Sequence, residues 1–276
     1  MYPNLTALTE ALARLGESYS HVPGFPDSVM AKQGAFIRAA TPWNPESVSA
    51  LTHDKAAVYA LLEGKAPFPK TLVFFDPEGD HPEFAREKSV REIAETISPL
   101  PYPRTIKMNR GEAGSHVYFV ENDDETVCAF AAIFDKKGRN YDFMALVQEH
   151  IAVAHEWRVA VAVKVPVFAY AKGTFDIAGD NLYARLSPIA TAAIEATGLV
   201  WGAIDIIESK EGDLYFLEAN SRPSYAGFIG KHGTEKITAL YERSLRSAAL
   251  SKNKMKGSED PFMTSSQRAK ARNGQA

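Results

Sequence analysis

Cysteine is nearly absent: Cys128 is the one thiol among 276 residues. An internal disulfide is excluded, and a reducing compartment fits. The thiol lies in the apolar run 126–134, where it reads as a buried, inert side chain. Long hydrophobic runs are missing too. No stretch approaches the roughly 20 apolar residues that cross a bilayer. The start of the chain carries Glu10, Arg14 and Glu17 where a signal peptide would have its apolar core. A cytoplasmic protein without a membrane partner is expected. Neither sign of charge dominates, and a net charge of -3 gives no global pull toward nucleic acid. The seven histidines are scattered, with none at metal-ligand spacing. His53 reads as a surface or capping residue, and His116 and His232 at most touch phosphate or substrate.

What is present is ordinary globular composition, 45% hydrophobic and 24% charged, in a chain long enough for one large domain or two compact lobes. Residues 5–15 have helical apolar spacing. Residues 24–45 are rich in Gly and Pro, with one short apolar piece around Phe36-Ile37. Thr52 or Asp54 caps a helix that runs to Leu62-Glu63 and stops at Gly64. Strands are expected at 71–75, 104–108, 117–121 and 126–134, and a charged helix at 83–97. A short strand-like run, 146–151, marks the lobe boundary. Residues 157–165 and 167–170 read as a hairpin with Pro166 at its turn. Ser187-Pro188 opens a helix to Thr197, and a last helix spans 235–250. From Ser251 the apolar pattern ends. Six basic residues against two acidic ones make 251–276 a basic, solvated, disordered tail.

The most informative segment is a pair of apolar runs, 199–207 and 214–220, joined by the turn signal Gly212-Asp213. Asp205 sits on the first, and Glu218 and Asn220 on the second. Glu218 and Asn220 are two apart and share a face of the strand. Asp205 can lie opposite them. Two carboxylates and an amide oxygen on one face suit a hard divalent cation that keeps coordination sites for phosphate. Carboxylates buried among apolar residues need either a metal or a cationic network. Arg222-Pro223 follows directly and adds a fixed cation.

Upstream, Lys107 ends a strand and feeds a small-residue loop containing Gly111, Gly114 and Ser115 before another strand begins at Val117. Glycines let backbone N–H groups approach an anion, and the ammonium supplies charge. The lysine precedes the loop and no helix follows, so this is not a Walker pattern.

The order Asp54-Lys55, Lys107 with its loop, Gln148-Glu149-His150-Ile151, Glu156-x-Arg158, Asp205 and Glu218-Ala219-Asn220 resembles the ATP-grasp superfamily over about residues 51–250. Within it the chain is most similar to RimK-type carboxylate–amine ligases. Lys107, Gly111, Gly114 and Val117 match their loop, with His116 where a last glycine would stand. Arg222 looks more like the Asn-x-Arg ending of the biotin-carboxylase branch. The resemblance implies an α+β fold in which two α/β lobes with antiparallel sheets clasp ATP. It places a short N-terminal segment at 1–50, a first lobe at 51–147 and a second at 148–250.

The resemblance also implies roles. Lys55 and Lys107 would hold the α- and β-phosphates, with Gly111, Gly114 and Ser115 folded over them. Gln148, Glu149 and Ile151 would read the adenine edge, and Glu156, opening the segment with Arg158, the ribose hydroxyls. Asp205, Glu218 and Asn220 would ligate Mg²⁺, with Mn²⁺ as the alternative. Arg222 would face the transferred phosphoryl group, and with Lys107 and Asn220 it forms the candidate catalytic set. RimK-type ligases carry an arginine shortly before an asparagine in the second lobe. Asn181 is kept here, Gly179 is near the arginine's place, and Lys172 or Arg185 is the alternative source of its charge.

Family members carry an α/β domain ahead of the Asp-Lys helix, whereas about fifty residues precede Lys55 here. The acceptor side is therefore minimal, or a homodimer or partner subunit supplies it. The implied activity is an ATP- and Mg-dependent ligase forming an amide or peptide bond from small-molecule or peptide carboxylate and amine substrates through an acyl phosphate. Such chemistry needs no Ser/His/Asp or Cys/His triad. The alternatives are a kinase acting on a non-carboxylate acceptor and a non-catalytic nucleotide-binding module. Residues 24–45 and 172–185 are expected to touch the acceptor. Trp43, Tyr225 and Phe228 read as packing before they read as substrate walls.

Overall fold

The computed structural model describes residues 2–97, 100–111, 115–138 and 141–257. The expected phosphate-loop residue Gly114 and most of the basic tail lie outside them.

Helix α1 (Pro3–Arg14) starts with proline at its first position, where a missing N–H costs nothing. The Gly- and Pro-containing stretch that follows is a three-stranded antiparallel meander, β1 (Tyr19–Val22), β2 (Phe25–Ala31) and β3 (Gly34–Ile37). Val29 and Phe36 are its buried, paired residues. Helix α2 (Glu46–His53) abuts α3 (Lys55–Leu62). Asp54 caps α3, its carboxylate accepting from the Ala57 N–H at 3.0 Å.

Strand β4 (Thr71–Phe75) follows. The expected helix at 83–97 is confined to α4 (Val90–Thr96), capped by Ser89, after a 3₁₀ turn at Pro82–Phe84. Residues 85–89 offer no buried face that a longer helix could use. Strands β5 (Arg104–Met108) and β6 (Val117–Val120) pair antiparallel.

Residues 126–134, expected as a strand, belong to helix α5 (Asp123–Ile133). Asn122 caps it at 2.9 Å, and Asp123, Asp124 and Glu125 occupy its first turn, where the helix dipole favours anions. Thr126, Ala129, Phe130 and Ile133 are buried at helical spacing, and Cys128 falls on the exposed side. The expected buried thiol is thereby corrected. Strand β7 (Met144–Glu149) completes a four-stranded antiparallel sheet in the order β4-β7-β5-β6, with α4 and α5 packed against it.

The second four-stranded sheet has the order β11-β10-β8-β9. Strands β8 (Val153–Ala162) and β9 (Val165–Ala171) turn at Val163-Lys164, both at positive φ. Pro166 is inside β9, opposite Val161, and is not the turn. Helix α6 (Asp180–Thr197) begins at the extended Gly179 and ends at the left-handed Gly198, so Pro188 lies within it and does not open it. Strands β10 (Trp201–Ser209) and β11 (Leu214–Asn220) form the acid-bearing hairpin. Helix α7 (Ala226–His232) follows, and α8 (Glu235–Gly257) runs seven residues past the expected end at Leu250. Among the described residues, no helix is long and apolar enough to cross a membrane.

Each face of the second sheet has its own core. On one, Val159, Val161, Ile204 and Phe216 pack with α6 and with Val58, Tyr59 and Leu62 of α3. Helix α3, expected in the first lobe, is therefore seated on the second sheet. On the other face, Ala160, Ala162 and Trp201 lie under Leu5, Leu8 and Leu12 of α1 and Leu240, Tyr241 and Leu245 of α8. The first fifty residues are thus part of the second lobe's core. Tyr225 and Phe228 are fully buried there, as packing residues.

Candidate functional site

The face of the second sheet that carries Ala160 and Ala162 changes character toward its other end. Asp205 pairs directly with Glu218 on one side and Arg158 on the other. Directly paired residues point to the same face. Asp205 is 0% exposed, and its two oxygens accept from Arg158 Nε and Nη2, each at 2.7 Å. Lys172 reaches Asp205 at 3.1 Å and also pairs with Glu156. Burial pushes the Asp205 carboxyl up, but the Arg158 guanidinium and the Lys172 ammonium outweigh it and hold the group below its ordinary range. Glu218 behaves oppositely. Burial, and then the neighbouring Asp205 charge, raise its pKa against the pull of Lys55. The cationic network anticipated for buried acids is present, and it centres on Asp205.

The first sheet contributes Lys107, whose alternation in β5 places it inward at 5% exposure. Its ammonium donates to the Tyr59 hydroxyl at 3.1 Å, and that hydroxyl donates to the Leu217 carbonyl at 2.7 Å. Burial lowers the Lys107 pKa to about 8, with Glu218 opposing. Lys55, at the start of α3, donates to the carbonyls of Asn109 at 3.2 Å and Gly111 at 2.6 Å. Asn109, fully buried, accepts from the Ala56 N–H at 2.8 Å and ties the end of β5 to α3. A Cβ at Gly111 would sit 2.7 Å from Met108 and 2.8 Å from the Ser115 carbonyl, so the backbone there needs glycine. His116 has φ 52, a left-handed conformation at the place where the resembling loops carry glycine.

These groups meet around a cleft of about 490 Å³ between the sheets. Its lining includes Lys55, Lys107, Gly111, Ser115, Gln148, Glu149, Ile151, Glu156, Lys172 and Glu218 from the expected set. Arg158 and Asp205 lie beneath it. Asn220, half-buried, is two residues beyond Glu218, its Oδ1 accepting from the Arg222 N–H at 2.9 Å. The exposed Arg222 is outside the lining, as is Asn181 in the exposed first turn of α6. His232 bonds the Phe175 carbonyl at 2.7 Å and is outside it too. Tyr59 and Asn109 escaped the sequence reading. The adjacency of Asn109 to Lys107 was the one available signal, while Tyr59 looks like any helix aromatic.

Among the described residues, no three His, Cys, Asp or Glu side chains form a metal-holding group. The Glu218, Asn220 and Asp205 oxygens nevertheless fit a hard cation. Glu218 is a half-buried acid whose pKa is raised by burial and then by the neighbouring Asp205, and an ionised carboxylate has about four lone-pair sites, more than the Arg158 and Lys172 contacts use on Asp205.

The architecture, two four-stranded antiparallel sheets facing a common cleft, is the ATP-grasp fold. The chain is similar to the VanG D-Ala:D-Ser ligase of Enterococcus faecalis, with TM-score 0.57 and 17% identity over 73% of this chain and 63% of that one. It is similar to D-alanine–D-alanine ligase of Bacillus anthracis complexed with ATP, with TM-score 0.53 and 16% identity over 74% and 68%. A RimK domain ATP-grasp protein of Sphaerobacter thermophilus matches with TM-score 0.53 and 21% identity over 72% and 69%. This chain thus spans less than two thirds of the length of the VanG ligase. No family model and no curated protein matches the sequence.

Proposed function

We propose that the protein is an ATP-dependent ligase joining a carboxylate to an amine. The observation that carries this reading is the convergence of Lys55, Lys107, Glu156, Lys172 and Glu218 from two sheets on one cleft. Lys107 and Lys55 hold the phosphates beside Gly111 and Ser115, and the Gln148–Ile151 segment borders the base. Glu156 takes the ribose hydroxyls. Glu218 and Asn220, with the remaining lone pairs of Asp205, hold Mg²⁺ or Mn²⁺, which supplies charge neutralisation on the triphosphate. Arg222, two residues beyond β11, is the cation we assign to the transferred phosphoryl group.

A substrate carboxylate attacks the γ-phosphate, releasing ADP and leaving an acyl phosphate. An amine then attacks the acyl carbon and releases phosphate. The chain supplies charge and alignment for this, and no protein nucleophile is needed. The substrates are small-molecule or peptide carboxylates and amines.

Hydroxylamine added to pools of amino acids and peptides with Mg-ATP tests this. Hydroxamate formed together with ADP supports the ligase. ADP release with a phosphorylated acceptor and no hydroxamate would make it a kinase. Absence of turnover, with no Mg-ATP shift in thermal melting, would remove both readings.

A further inference from the structure

Residues 221–225 carry Arg222 from the end of β11 to α7, and side chains from the opposite end of the chain hold their backbone. Asn4, in the first turn of α1, is 0% exposed. Its Nδ2 donates to the Pro223 carbonyl at 3.0 Å, and its Oδ1 accepts from the Tyr225 N–H at 3.0 Å. One planar amide thus satisfies a carbonyl and an N–H two residues apart, a pairing that needs a donor and an acceptor on the same group. Asn44 holds the front of the segment. Its Nδ2 donates to Ser221 at 3.3 Å and Trp201 at 2.7 Å, and its Oδ1 accepts from the N–H groups of Val200 and Trp201.

Arg158 approaches the Ser224 carbonyl at 3.5 Å, and the Tyr225 hydroxyl donates to the Gly202 carbonyl at 2.8 Å. The apolar stripe Leu5, Leu8 and Leu12 already docks α1 on the body of the lobe. Packing therefore gives no reason for an amide at position 4, and a buried amide is costly unless both of its ends are bonded. What the amide adds is one fixed course for the backbone just after Arg222, as Asn44 gives just before it.

We propose that Asn4 is a positioning residue for Arg222. The N-terminal region sets the path of residues 221–225, and with it the direction in which the guanidinium leaves the end of β11. The proposal rests on the reading of Arg222 as a ligand of the transferred phosphoryl group. It gives the first fifty residues a task in the site.

Two measurements on full-length Asn4→Ala test it: amide hydrogen exchange without nucleotide, and turnover of Mg-ATP with hydroxylamine and pooled amino acids. Exchange at Tyr225 is expected to quicken about tenfold, the loss of roughly one buried hydrogen bond. kcat should fall about tenfold while the KM for Mg-ATP stays within about twofold. In an Arg222→Ala background the substitution should cost no further kcat, because Asn4 acts through that side chain. Unchanged exchange at Tyr225, losses that multiply in the double variant, or an Arg222→Ala protein with undiminished kcat would each overturn it. If Asn4→Ala fails to fold, Asn4→Ser, which retains a short polar group, carries the same measurements. Unaltered protein that neither binds nor turns over Mg-ATP would instead remove the ligase reading, and the Tyr225 amide still decides the positioning.

Discussion

The two sheets that face each other across the cleft treat buried charge in opposite ways. In the second sheet, Glu156, Arg158, Lys172 and Asp205 pair with one another. Their charges are compensated before any ligand arrives. In the first sheet, Lys107 is more buried than Lys172 or Glu156, yet among the described residues it has no carboxylate at ion-pair distance, and its ammonium bonds the Tyr59 hydroxyl. Burial lowers its pKa, whereas for the less deeply buried Lys172 the effect is outweighed by Asp205 and Glu156, and the pKa rises. The second sheet carries its own counter-ions for structure. The first holds a buried cation without an ion pair, for which, under the proposed function, an incoming phosphate is the counter-ion.

The strongest way to break that comparison is to remove one member of the compensated set. Arg158→Ala leaves Asp205 fully buried with Lys172 alone beside it. Breaking such a buried pair costs about 3–5 kcal/mol. For a chain of this size the melting midpoint should drop by roughly 10 °C, read by circular dichroism or calorimetry. A drop under about 2 °C would mean that water compensates Asp205 and that the second sheet is no better neutralised than the first.

Lys107→Met is the reverse experiment. An ammonium that is desolvated without an ion pair gives the fold little, so the melting midpoint should hold or rise. Mg-ATP affinity should fall by about 10- to 100-fold, the worth of a charge-assisted hydrogen bond, as measured by titration calorimetry. Loss of stability with unchanged affinity would reverse the assignment.

The pH dependence sharpens the same contrast with a smaller effect. Lys107 has its folded pKa at about 8, below the ordinary lysine value of about 10.5. Between those values the unfolded chain binds more protons than the folded one, so this residue makes stability rise with pH across the window. Below pH 8 both states are protonated and the contribution is flat. Denaturant titrations at pH 7.5 and 9.5, compared with Lys107→Met, isolate it. A slope of equal size in the variant would assign the effect to another group.

Much of this site was legible in the sequence because it depends on local register. A turn signal and a two-residue spacing suffice to place Asp205 opposite Glu218, and an Asp before an apolar helix suffices for the α3 cap. The misread elements are those where a long-range partner decides. The run 126–134 has strand-like composition, and the helix shows only in the spacing of Thr126, Ala129, Phe130 and Ile133 and in the Asn122 cap. The Val163-Lys164 turn carries no glycine or asparagine, although both residues are at positive φ. The capture of Asp205 by Arg158 and Lys172 links three strands, and no local pattern announces it. The first fifty residues read only as a short N-terminal segment because the groups they bond, at 200–201 and 221–225, are far along the chain.

Tyr59 tests how independent the two sheets are, with the smallest expected effect. Its hydroxyl accepts from Lys107 of the first sheet and donates to the Leu217 carbonyl of the second, while its ring packs against Phe216 and Phe68. Tyr59→Phe keeps the ring and removes both bonds. The Leu217 carbonyl then lacks this donor, which costs about 1 kcal/mol, or roughly 2–4 °C in melting midpoint. Lys107 loses its hydroxyl partner and should be held more weakly, so Mg-ATP affinity should drop about threefold, less than in Lys107→Met. If the sheets are coupled through this hydroxyl, the affinity losses of Tyr59→Phe and Lys107→Met will not add in the double variant. If they add, Tyr59 serves the second sheet alone, and the uncompensated state of Lys107 owes nothing to it.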